Sequence, residues 1–213
     1  MTFTLKERLG RDWGPELVRH SVAVPPGAKV AEAPLVRVDG TVVPAQMAGA
    51  TEGKGGTKAE LFLVLSLAKG QAMTVSIDPT QSSRLPELPH RQRRGYEEAG
   101  NDLYNLRVAR TGKVEFREPK AASEVPTPIQ AWRSAKGDWT GASAFVSSRK
   151  VRGYVGTLRE AGPALLEYEY RYSFVPKGEY VCTIRIVAGI PVAFITDEFD
   201  LGDVTEGGDD IVY

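Results

Sequence analysis

The chain has a single cysteine, Cys182, so it can form no internal disulfide and cannot by itself build a thiolate metal cluster. At an inward-facing strand position it reads as a small apolar core thiol. Lys plus Arg equals Asp plus Glu at 27 each, a formal net charge of zero. No long-range field then favours nucleic acid or an anionic membrane, and neither is an expected partner. No apolar run approaches the ~20 residues of a membrane-spanning helix. The N-terminus, Met1 to Arg8, is charged too early for a signal peptide. The chain as it stands is therefore expected to be soluble, and exported only if a leader has been removed. A nucleophile elbow, a phosphate loop, a dinucleotide fingerprint and zinc spacing are also missing. The acidic stretch Asp197-Glu198-Phe199-Asp200, with Asp203, Glu206, Asp209 and Asp210 beyond, lacks the glycine and final glutamate of a calcium loop. These absences argue against the commonest enzyme classes, and no cofactor or metal is expected.

What the chain does have is alternation. Tyr168, Tyr170, Tyr172 and Phe174 fall at every second position, with Glu169, Arg171 and Ser173 between them. That is the two-residue period of a strand with one buried face. Tyr180, Cys182, Ile184 and Ile186 repeat the pattern. Pro176-Lys177-Gly178 and Gly189-Ile190-Pro191 supply the turns, so Ala164 to Asp200 reads as a three-stranded antiparallel meander. Few windows hold apolar residues at helical spacing without Gly or Pro inside, which leaves room only for short helical turns.

Upstream, Leu17 to Val24 reads as a strand on which His20 has no second His nearby, which favours a structural role. Asp39-Gly40 between two β-branched runs is a strong hairpin signal. Ala59 to Leu67 is nearly all apolar and suits a central strand buried on both sides, and Met73 to Ile77 alternates cleanly. From Asp78 to about Gly100, Pro79, Pro86 and Pro89 suggest a long connecting loop. Its cluster His90, Arg91, Arg93 and Arg94 is followed at once by Glu97 and Glu98 and reads as solvated. Tyr104–Val108 and Lys113–Arg117 flank Thr111-Gly112 as a further hairpin. The expected fold is all-β: a small barrel-like unit over 1–78, a proline-rich linker over 79–102, and an antiparallel β-sandwich over 103–213.

The stretch Ile129 to Ser143 stands apart from its neighbours, because it holds two of the three tryptophans. Exposed flat aromatics stack on the apolar faces of sugar rings, and nearby cations pair with hydroxyls or uronate carboxylates. Trp132, Arg133, Lys136 and Trp139 are therefore the candidate carbohydrate-binding residues, with Asp138 beside them. On the alternative reading Trp132 and Trp139 cap the open end of the core while the charged residues face water. Glu160 is a carboxylate of the right chemistry for acid or base work, but it has no located partner. No catalytic residue can be assigned.

The order of these features resembles the N-terminal portion of large bacterial carbohydrate-active proteins similar to exo-acting rhamnogalacturonan lyases. The resemblance rests on the stretch from Val18 to Gly27, the hairpin Val38 to Gln46, and Glu160-Ala161-Gly162-Pro163-Ala164. It extends through Tyr172-Ser173-Phe174 and Ala188-Gly189-Ile190-Pro191-Val192 to Glu198-Phe199. It implies a small N-terminal barrel, a central β-sandwich and a C-terminal α/α toroid, of which the last is not in this chain. On that footing the chain is either a fragment of a longer polysaccharide lyase or glycoside hydrolase, lacking its C-terminal catalytic domain, or a free-standing relative. The expected partner is a polysaccharide or oligosaccharide. The other functional readings are a stand-alone carbohydrate-binding module and a structural or assembly domain that contacts only protein through edge strands.

Overall fold

The alternating segments become strands in the computed structural model, which describes residues 1–53, 56–141 and 143–200, with backbone alone for 210–212. The fold is all-β, and the only helical piece among the described residues is a 3-10 turn at Ala122–Glu124. No described helix is long and apolar enough to cross a membrane. The chain divides into two units. Unit 1 comprises Met1–Leu88 together with Glu160–Leu165 and Val187–Ile190; unit 2 comprises the rest.

Unit 1 contains β1 (Thr2–Lys6), β2 (Trp13–Val24), β3 (Pro34–Val38), β4 (Thr41–Val43), β5 (Ala45–Gly53), β6 (Gly56–Leu67) and β7 (Ala72–Ser82). They form two sheets, β1-β7-β3-β4 and β2-β6-β5, and pairing among the described residues does not close them into a barrel. One core lies between them, built from residues such as Val22, Leu61 and Leu63 of one sheet and Val36, Val75 and Ile77 of the other. The β3–β4 turn has positive φ at both Asp39 (49°) and Gly40 (87°). That is the backbone of the hairpin turn whose twist matches the flanking strands. As its apolar run predicts, β6 is covered on both sides. Leu61, Leu63 and Leu65 face the core, while Phe62 and Val64 pack with Leu17 against Leu165, Val187 and Ile190. His20 lies against the Phe3 ring at 4.8 Å, a packing role.

Unit 2 contains β8 (His90–Gln92), β9 (Tyr96–Gly100), β10 (Tyr104–Ala109), β11 (Gly112–Ala121), β12 (Ile129–Ser134), β13 (Ala144–Val146), β14 (Lys150–Ala161), β15 (Leu165–Val175), β16 (Glu179–Val187), β17 (Ala193–Asp200) and β18 (Asp210–Val212). The ends of β14, β15 and β16 supply the later segments of unit 1. A four-stranded sheet runs β12-β10-β9-β8, a five-stranded sheet β11-β14-β15-β16-β17, and β13 pairs with β18. The expected meander is present as β15-β16-β17. Its inward row is the core of the sandwich: Tyr168, Tyr170, Tyr172 and Tyr180 are fully buried, as is Cys182. Phe145 meets Tyr172 edge-on at 4.8 Å, and Tyr154 stacks on Tyr172 at 5.1 Å. Beside Tyr170, Gly156 is obligatory, because a Cβ there would come within 2.7 Å of the ring.

Two expectations fail. The segments on either side of Thr111-Gly112 do not form a hairpin: β10 belongs to the four-stranded sheet and β11 to the five-stranded one. Positive φ at Gly112 (101°) turns the chain from one layer into the other. The stretch 79–102 is also more than a linker, since it contributes β8 and β9 to the four-stranded sheet. Asp203, Glu206 and Asp209 lie outside the described residues, as do Lys54 and Gly55.

Candidate functional site

Strand register decides which face each candidate residue occupies, because residues directly opposite in an antiparallel pair point the same way. On β12, Trp132 is opposite Leu106 and Arg133 is opposite Asn105. Leu106 is buried, so Trp132 points to the core side of the sheet, yet at this edge it stays 50% exposed. Arg133 points to the solvent side. After the turn at Lys136 and Gly137 the chain folds back, with Trp132 and Thr140 exchanging backbone hydrogen bonds of 2.9 Å each way. Trp139, one residue before Thr140, is thereby placed on the solvent side with Arg133. Lys136 and Asp138 are exposed in the turn. The two tryptophans of the expected site thus lie on opposite faces of β12 and do not form one platform.

What does assemble is a row across the solvent face of the four-stranded sheet. The guanidinium of Arg107 lies 4.1 Å from the centre of the Trp139 ring, and that of Arg133 lies 4.6 Å from it. Arg107 also lies 4.9 Å from the Tyr96 ring. Register explains the convergence: Tyr96 is opposite Ala109 and Glu98 is opposite Arg107, so β9 and β10 present Tyr96, Glu98 and Arg107 together. Glu98 accepts a 3.2 Å hydrogen bond from Arg93 and lies 3.9 Å from Arg107. The Nε atoms of Arg107 and Arg133 are buried and make no hydrogen bond to protein. Each guanidinium is thus held more by an aromatic surface than by a carboxylate. A cation over an indole contributes about 0.5–1 kcal/mol at an exposed site, and more when water is excluded.

The opposite face of the same sheet is the sandwich core, where β9 places Glu97. Its carboxyl is buried, and burial raises it above the usual carboxylate range against the opposing pull of hydrogen bonds from Thr111 and the nearby His90. Glu97 Oε2, Tyr104 Oη and Tyr168 Oη are buried without a protein hydrogen-bond partner. Burial also pushes the Tyr168 and Tyr170 hydroxyls far up, with the Glu97 charge adding to the effect. Glu160 belongs to neither array: it accepts a 3.2 Å hydrogen bond from Gln46 within unit 1. No group of three His, Cys, Asp or Glu side chains among the described residues is placed to hold a metal ion.

Tyr96, Arg107, Glu98 and Arg93 escaped the sequence reading, which placed Arg93 in a loop and Arg107 in a hairpin. Their shared parity on paired strands would have found them, but only with the pairing known. Comparison of the sequence with protein-family models and with curated proteins gives no match.

Proposed function

We propose that this chain is a non-catalytic β region of a carbohydrate-active protein of the polysaccharide lyase or glycoside hydrolase type. On this reading the solvent face of its four-stranded sheet supports or lines a glycan site. The observation that carries it is the juxtaposition of Arg107 and Arg133 with the half-buried Trp139. A ring flanked by two guanidinia suits a sugar that carries a carboxylate, since ring and acid group meet complementary partners at once. Arg133 and Trp139 stay in this reading, Lys136 and Asp138 border it, and Trp132 becomes a separate contact on the sheet edge. The resemblance to the N-terminal part of exo-acting rhamnogalacturonan lyases supports the same substrate class.

The test is tryptophan fluorescence titrated with acidic and neutral polysaccharides. An acidic polysaccharide should give a saturable shift that Trp139→Ala and Arg107→Ala each weaken by about tenfold, corresponding to the loss of one charge-assisted or stacking contact. Trp132→Ala should have the smaller effect. If no glycan moves the emission, the reading fails, and the domain that contacts only protein takes its place.

A further inference from the structure

Among the described residues, the five-stranded sheet ends in a strand that is half covered. Among the described residues β17 pairs only with β16. Register puts Ile195 opposite Ile184, Asp197 opposite Cys182 and Phe199 opposite Tyr180, so these three share the inward face of the sheet. Ile184, Cys182 and Tyr180 are fully buried, yet one strand further out Ile195 is 40% exposed and Phe199 is 51% exposed. Phe199 already stacks on Tyr180 at 4.8 Å, which makes it the outermost ring of the core. On the outward face Phe194 is 47% exposed, and Val192 just before the strand is 52% exposed. The strand contains no proline or lysine, and the charges that blunt its edge are all of one sign, with Asp197 on the inward face. Its only charges are the carboxylates of Asp197, Glu198 and Asp200.

We propose that β17 accepts an extended segment of another polypeptide, paired edge to edge, with apolar side chains alternating with Lys or Arg. The two faces of β17 dictate that pattern. The inward face needs apolar groups beside Ile195 and Phe199, where Asp197 is already engaged by the Tyr180 hydroxyl at 2.6 Å. The outward face carries the carboxylate of Glu198, so the added strand places a cation there. Alternation at a period of two delivers one residue type to each face. A second copy of β17 is the poorer occupant, because it would set one acidic strand against another. This inference is independent of the glycan reading, which concerns the other sheet.

The test uses the full chain and a synthetic eight-residue peptide, the length of β17, in which Lys or Arg alternates with Val or Phe. Two controls accompany it: one with Glu in place of every cation, and one with the same composition but the cations grouped at one end. The alternating basic peptide should bind saturably and more weakly as salt rises. It should also slow amide exchange over Phe194 to Asp200 by about tenfold or more. Glu198→Lys and Phe199→Lys should each abolish the protection while near-ultraviolet circular dichroism stays native; if Phe199→Lys does not fold, Glu198→Lys decides. The proposal is overturned if the basic peptide fails to bind, if either control binds as well, or if protection maps elsewhere. It is equally overturned if sedimentation shows that the chain dimerises through β17, which would make a second copy the occupant.

Discussion

The core of unit 1 is made of Val, Leu, Ile, Ala and Met, whereas that of unit 2 is lined by tyrosines. An aliphatic core asks only that volumes fit. Each buried tyrosine adds a hydroxyl that must find an acceptor or bear the cost of losing water. Tyr170 donates to Ala109 O at 2.6 Å and Tyr172 to Pro126 O at 2.8 Å. These bonds tie β15 to chain segments outside its own sheet and so fix how the layers meet. Tyr168 and Tyr104 have no such acceptor. Unit 2 thus gains specificity of packing from hydrogen bonds and gives up some stability where they are not made.

The comparison is tested most strongly by truncation. Tyr170→Ala should destabilise unit 2 by about 3–5 kcal/mol, and Leu63→Ala should cost unit 1 about 2–5 kcal/mol. Urea unfolding followed by fluorescence separates them, because Trp132 and Trp139 report unit 2 and Trp13 reports unit 1. A smaller and sharper contrast lies within the tyrosine row. Tyr170→Phe should cost about 1–2 kcal/mol, because it leaves the buried Ala109 carbonyl without its donor, whereas Tyr168→Phe should stay within about 0.5 kcal/mol of wild type or gain stability. Equal losses for the two would show that the hydroxyls do not distinguish the rings.

The smallest effect is read in pH. Glu97 titrates above its ordinary value of 4.5 in the folded chain. The folded state therefore holds this proton more tightly than the unfolded one. Its contribution is fully present below that ordinary value, is lost as pH rises through the elevated folded value, and is constant beyond. Glu97→Gln removes the titration, so the difference in stability, wild type minus variant, should fall over that interval. Glu7, Glu60 and Asp78, all lowered, shift the other way in both proteins and cancel in the difference. A rising difference would contradict the burial argument.

Much of the fold was legible because it is local. Alternation at Tyr168 to Phe174 and the Asp39-Gly40 turn each depend on a few consecutive residues, and both appear as expected. The step at Thr111-Gly112 was not legible: a turn between two alternating strands reads alike whether the second strand pairs back or crosses to another layer. Trp139 and Arg133 were found as neighbours in sequence. Tyr96 and Arg107 join them only through β9-β10-β12 pairing, which no short window encodes. The same pairing moved Trp132 to the opposite face.

The discontinuous make-up of unit 1 bears on how the chain is born. Phe62 and Val64 on β6 are covered by Leu165, Val187 and Ile190, the last two of which are synthesised about 100 residues after the main body of the unit ends at Leu88. At ordinary translation rates that interval lasts on the order of ten seconds. Throughout it the emerging N-terminal sheets keep an apolar face uncovered, and only the arrival of Ile190 from the ribosome completes its cover.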